Sequence, residues 1–244
     1  MARKIRIFKI LPVRDGIAEW GEVQRGLLAQ LASPDVEITE VDLPTAPVKA
    51  INTAYHTELV AMLHVEAAIK AEQAGYDAVV MGCLDEPGVP AAKEALDIPV
   101  VGEAEAAMHY ASLVGRRFSF VGGSPESRGV LLDLVRKYGF ELKLASIRKI
   151  PAYPLDFASQ KEGLPAALLI EARKAVEEDG ADAIIGYGAI EGLRYLQEQL
   201  GVPVISPVQA SVLMAESLVR LNIMQSKHAY PTPPELDKKK AVRV

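Results

Sequence analysis

A chain of 244 residues, 50% hydrophobic and 24% charged, has ample material for a buried core and falls between the usual sizes of one domain and two. Its 27 lysines and arginines against 32 aspartates and glutamates leave a net charge of −5, which argues against nucleic acid or an anionic membrane surface as partner. No apolar run approaches the roughly 20 residues of a membrane span, and the first residues lead straight into a strand-like pattern without a signal-peptide core, so the chain reads as a soluble cytoplasmic protein.

Apolar and β-branched segments at about residues 5–10, 36–41, 78–81, 98–101, 118–121, 142–147, 183–185 and 202–205 predict strands; the longer Ala-, Leu-, Glu- and Lys-rich stretches between them recur at helical spacing. Such alternation predicts an α/β fold with parallel sheets, and a run such as Ala78-Val79-Val80-Met81 suits a strand covered on both faces. Thr53 stands where a long helix needs an N-cap. Ser124-Pro125-Glu126 reads as another N-cap followed by a first-position proline, while Gly115, Gly139, Gly180 and Gly201 mark helix ends. From Lys227 onward, Pro231, Pro233, Pro234 and Lys238-Lys239-Lys240 predict an extended, solvated tail.

The segment Gly75-Tyr-Asp77-Ala-Val-Val-Met-Gly-Cys83 is echoed by Gly180-Ala-Asp182-Ala-Ile-Ile-Gly-Tyr-Gly188. Each copy is followed by a helix and then by Leu96-Asp97-Ile98-Pro99-Val100-Val101 or Leu200-Gly201-Val202-Pro203-Val204-Ile205. Each is also preceded by a strand, a helix and a strand. Two copies of one α/β unit account for the length. They predict two pseudo-symmetric Rossmann-like half-domains with parallel sheets: residues 1–101 with 207–226 in the first, 102–206 in the second, and a tail over 227–244. Parallel sheets bind ligands at the carboxyl ends of their strands, so the active-site cleft is expected between the halves.

Cys83 is the only cysteine, which rules out an intrachain disulfide and argues against a cysteine-based zinc site. It follows an apolar strand in Gly82-Cys83-Leu84-Asp85-Glu86-Pro87-Gly88. A buried, inert thiol is the plain alternative, but a thiol at a strand end ahead of a helix N-terminus can be held as a thiolate and act as nucleophile or acid–base. Asp85 and Glu86 oppose a thiolate, although one of them can serve as a proton carrier, and Glu86 is taken as the candidate.

This stretch, with Glu94-Ala-Leu-Asp-Ile-Pro-Val-Val-Gly102-Glu103-Ala-Glu-Ala-Ala-Met108-His109, resembles the first-cysteine region of hydantoin racemases in the aspartate/glutamate racemase superfamily. Segment order extends the resemblance to about residues 5–221. It implies cofactor-independent chemistry in which a cysteine from each half flanks the acidic carbon of a small substrate. The repeat locates the second slot: Cys83 lies eight positions after Gly75, and eight after Gly180 stands Gly188, in Tyr187-Gly188-Ala189. A symmetric two-thiol racemase is therefore not expected. One-sided chemistry by Cys83 fits better, whether desulfurisation of a thiohydantoin, hydrolysis, decarboxylation or isomerisation. Tyr187, with a phenol pKa of about 10, is a reluctant second base and a better hydrogen-bond donor. The alternatives are a racemase with a non-cysteine second base and a non-catalytic binding protein on the same scaffold.

For binding, the resemblance favours Gly123 and Ser124 as an oxygen cradle, although a tight turn with an N-cap accounts for them equally. Gly82 and Gly188 join them as backbone contacts. Arg14 is a candidate carboxylate clamp, with pairing to Asp15 as its plain alternative. Thr53 is an N-cap and a candidate contact. His56, His64, His109 and His228 lack metal-ligand spacing, no cofactor is called for, and a phosphate loop is missing. A small-molecule substrate is expected, and a homo-oligomer is compatible with the sequence.

Overall fold

The computed structural model describes residues 3–31 and 33–236. The first half of the chain runs β1 (Ile5–Leu11), α1 (Gly16–Leu28), β2 (Val36–Asp42), α2 (Ala54–Gln73), β3 (Ala78–Met81), α3 (Val89–Ala95), β4 (Val100–Gly102) and α4 (Glu103–Val114). The second runs β5 (Phe118–Val121), α5 (Arg128–Lys137), β6 (Leu144–Arg148), α6 (Pro154–Ala158), α7 (Leu164–Glu177), β7 (Ala183–Gly186), α8 (Ile190–Leu200), β8 (Val204–Ile205) and α9 (Pro207–Arg220).

The strands form two four-stranded parallel sheets, ordered β2-β1-β3-β4 and β6-β5-β7-β8. The orders are the same once the second set is renumbered, as the repeat requires. Every residue of β3 and of β7 is buried, because helices cover both faces of each central strand. The halves are joined by α4 and α9. Helix α4 packs on α9 and on β7, and its Ala104, Ala107 and Met108 bury against Phe118, Phe120 and Ile185 of the second sheet. Helix α9 returns to the first sheet, where Ala210, Val212 and Ala215 cover Ile7, Val80 and Val101.

Local signals act as expected at Thr53, whose Oγ1 accepts from the His56 N–H at 3.3 Å and caps α2. They act differently at Ser124. Its side chain makes no cap bond; a single 3-10 turn, Pro125–Ser127, intervenes before α5, and Ser127 Oγ instead donates to the Ser124 carbonyl at 3.1 Å. The Ser124 hydroxyl is thereby left free.

The tail also departs from expectation at its start. Gln225 Oε1 accepts from the Val100 N–H on the edge strand β4, and its Nε2 donates to the carbonyls of Leu96 and Ile98 at 2.8 and 2.9 Å. Lys227 is docked rather than extended into solvent: its ammonium donates to the Glu94 and Leu96 carbonyls at 2.8 and 2.6 Å, at the carboxyl end of α3. Lys238, Lys239 and Lys240 lie outside the described residues.

Gly82 is fixed by packing rather than by a ligand. A Cβ at this position would drive into the Ile10 carbonyl oxygen, to which the Gly82 N–H donates at 3.0 Å. Backbone cannot yield as a side chain can, so Gly82→Ala is expected to destabilise by about 1–3 kcal/mol, read as a lower urea midpoint at unchanged slope.

Candidate active site

A cavity of about 810 Å³, counting its open mouth, lies where the carboxyl ends of both sheets meet. Leu11 ends β1 and Pro12 and Val13 follow it, Cys83 and Leu84 follow β3, Tyr187 and Gly188 follow β7, and Ser206 to Val208 follow β8. Trp20, Val23 and Leu27 of α1 make one wall apolar. A smaller polar annex, lined by Asp85, Gly123, Ser124 and Ser127, shares Cys83, Ile51, Pro154 and Tyr187 with the main cavity. The thiol and the phenol therefore stand where the apolar bay meets the annex.

Cys83 adopts a left-handed backbone conformation, φ 81°, which turns the loop after β3. Burial pushes its thiol well up, and the charges of Asp85, Glu103 and Glu86 push further, against one backbone hydrogen bond at Asp85. These surroundings favour the thiol over the thiolate that a helix N-terminus could have held, because α3 begins only at Val89 and Asp85 and Glu86 lie between.

Gly188 stands two residues beyond β7, as Cys83 stands two beyond β3, and it also has a positive φ, 123°. A Cβ built there would meet nothing within 4 Å. Position 188 itself thus offers space and no side chain. Tyr187 beside it packs its ring on Phe157, with centroids 5.6 Å apart. Burial and the charges of Asp85, Cys83 and Glu103 raise the phenol well above its ordinary pKa, so it stays protonated and acts as a donor.

The two loop carboxylates exchange their expected parts. Glu86 does not line the cavity: its Oε1 accepts from the Glu105 N–H at 2.7 Å, at the start of α4, and its Oε2 accepts from the Tyr138 hydroxyl. The unpaired N–H groups and positive end of α4 hold it. Burial raises its pKa to about 7, opposed by those bonds. Asp85 is the one that faces the annex. It is 4% exposed, its Oδ2 has no hydrogen-bond partner, and burial raises it to about 6 against the opposing charge of Lys149.

Lys149 was not legible as a site residue. It follows β6 and donates to Ser127 Oγ at 2.9 Å; burial lowers its pKa to about 8, with Asp85 opposing and Arg128 adding. Ser124 Oγ, 2% exposed and unpartnered, is available to a ligand in the same annex, beside Gly123. Arg14 is elsewhere. Its guanidinium is exposed, 3.9 Å from Asp15, and Val13 takes the cavity position instead. Thr53 is occupied as the cap of α2 and does not line the cavity. His109 packs edge-on to Phe140, and His64 is buried with Nδ1 2.9 Å from the Pro87 carbonyl, its pKa lowered to about 3 by burial. On the cavity floor, Glu103 lies 3.4 Å from the fully buried Lys9 ammonium, which also faces Glu40 at 3.7 Å.

Two repeated α/β halves with a cysteine-lined cavity at their junction define a two-domain α/β class, and comparison with known proteins narrows it. The family model described as Asp/Glu/Hydantoin racemase matches residues 21–215, and the chain belongs to that family. It is 41% identical over 183 residues to the hydantoin racemase of Paenarthrobacter aurescens, covering 73% of this chain and 78% of that one. To the hydantoin racemase of Pseudomonas sp. (strain NS671) it is 38% identical over 209 residues, 84% of each. Its fold superposes on the allantoin racemase from Klebsiella pneumoniae with a TM-score of 0.86 at 32% identity, over 94% of each chain.

Proposed function

We propose that the protein is a cofactor-independent, cysteine-dependent enzyme that acts on a hydantoin-like ring, hydantoin or thiohydantoin, or a related carboxylate, by one-sided chemistry through Cys83. The relatives' names supply the ring class, a five-membered cyclic ureide. The apolar wall from α1 suits a ring substituent, and the annex at Gly123 and Ser124 suits a ring oxygen or sulfur. The observation that carries the reading is the asymmetry of the cavity: a thiol after β3 and, in the corresponding place after β7, Gly188 with open space around it. Inversion requires proton exchange on both faces, and a glycine exchanges none.

Two one-sided routes follow. On a thiohydantoin, the Cys83 sulfur attacks the thiocarbonyl carbon, sulfide leaves, and water hydrolyses the adduct, so that ring C=S and water become ring C=O and hydrogen sulfide. On the carbanion left when a 5-carboxylate loses CO₂, or formed in an isomerisation, the Cys83 thiol delivers its proton to one face and the resulting thiolate is reprotonated from solvent. The neutral resting thiol suits the second route directly and needs a proton acceptor for the first. A racemase is the second reading, favoured by the place of Tyr187 beside Gly188, where its phenol donates from the far side.

Incubation with 5-substituted hydantoins, their 2-thio analogues and the corresponding 5-carboxylates, followed by chiral chromatography and sulfide assay, tests the reading. Ring turnover with a single stereochemical outcome, or stoichiometric sulfide release, is the expected result. Racemisation as the only reaction would transfer the assignment to the Tyr187 reading.

A further inference from the structure

The attack just described needs a thiolate, while the surroundings of Cys83 favour the thiol. Resting on that reading, we propose that Asp85 is the proton partner of Cys83, with Lys149 as its counter-charge. The Asp85 carboxylate takes the S–H proton when substrate fills the cavity and returns it to the leaving group.

Elimination among the neighbouring carboxyls points to Asp85. Three of them act on the thiol: Asp85, Glu103 and Glu86. Glu86 has both oxygens engaged, one by the Glu105 N–H and one by the Tyr138 hydroxyl. Glu103 also lines the main cavity and its Oε1 makes no hydrogen bond, but that oxygen lies 3.4 Å from the buried Lys9 ammonium, so its charge is already matched. Asp85 lines the annex together with Cys83, and its buried Oδ2 has no partner. The two residues are two positions apart in the loop after β3 and line the same annex, which places the carboxyl and the thiol on one wall.

Lys149 supplies the charge that makes the exchange feasible. Its positive charge opposes the rise in the Asp85 pKa, and its ammonium is anchored at 2.9 Å on the Oγ of Ser127, which lines the annex with Asp85. Before transfer the cluster holds a thiol, a carboxylate and an ammonium; afterwards it holds a thiolate, a carboxylic acid and the same ammonium. The S–H bond breaks, an O–H bond forms, and the net charge in the cavity does not change. A dry site tolerates that exchange far better than the loss of the proton to solvent.

Asp85→Asn tests the pair because its two readouts move in opposite directions. Removing a like charge beside the thiol speeds alkylation by iodoacetamide at pH 7, whereas turnover of the ring substrate falls by about 10²–10³-fold for want of the acceptor. Turnover that is unchanged, or that rises along with alkylation, would overturn the proposal. Lys149→Met gives a second arm. Asp85 accepts a proton only when ionised, so wild-type turnover falls as the pH drops through about 6. Without the Lys149 charge this acid limb is expected at higher pH; an unmoved limb contradicts the pair. Alkylation needs no substrate and separates the two proposals. A break near pH 6 in the wild-type alkylation profile, absent in Asp85→Asn, supports the pair even if no ring compound is turned over. Identical profiles in the two proteins would overturn the pair and leave the ring assignment untouched.

Discussion

Cys83→Ser is expected to reduce turnover of a hydantoin or thiohydantoin substrate at least about 10³-fold while leaving ring binding measurable by calorimetry. The substitution is nearly isosteric and the thiol borders a cavity rather than filling a core position, so the fold should be unaffected. What it removes is the group able to form a soft nucleophile or exchange a proton with carbon near neutral pH; a serine hydroxyl does neither without a strong base. The effect is large because the neighbouring carboxylates, Asp85 and Glu103, are hard oxygen groups that do not replace a soft thiol nucleophile. Tyr187 is held protonated, Glu86 is tied to α4 and Tyr138, and Gly188 has no side chain. Retained turnover would make this a cavity whose thiol is incidental, and retained binding of Cys83→Ala without any wild-type turnover would favour a binding protein.

Gly188→Cys is expected to give the enzyme its second face. Open space receives the new Cβ, and Cys83 shows that a cysteine is accommodated in a left-handed loop at the corresponding position, φ 81° against 123° at Gly188. Strain from the positive φ should cost of order 1–3 kcal/mol in stability, visible in a thermal melt. In return, a thiol on each side permits exchange at the acidic ring carbon from both faces, and racemisation of a single-enantiomer hydantoin should appear or increase by about 10²-fold. Chiral chromatography reads this directly. A variant that folds and binds ring yet racemises no faster would show that the two loops do not face one carbon.

The sequence revealed the scaffold well because parallel strands buried on both faces must be apolar along their whole length, which made the Gly75–Cys83 and Gly180–Gly188 echo visible. Boundaries were less legible. The strand expected from residue 142 begins at Leu144, since a 3-10 turn, Glu141–Lys143, takes the preceding residues. Helix α6, with five residues, is too short to show a period.

In the site, adjacent residues were the difficulty. Asp85 and Glu86 have the same chemistry and sit one position apart; the loop's positive φ values at Cys83 and Glu86 decide which carboxylate meets the annex. Lys149 sits after β6, a strand end where parallel sheets place site residues, but no motif marks it; Arg14 sits after β1, where the left-handed Asp15, φ 57°, leads directly into α1 and leaves the arginine exposed beside that aspartate.

The claim that one thiol acts from one side is tested most directly by solvent exchange. One enantiomer of a 5-substituted hydantoin is incubated with the wild-type protein in D₂O, and C5 is followed by NMR alongside chiral chromatography. The account predicts retained chirality, with any deuterium confined to one enantiomer. Deuterium entering both enantiomers at equal rates, with loss of optical activity, would contradict it.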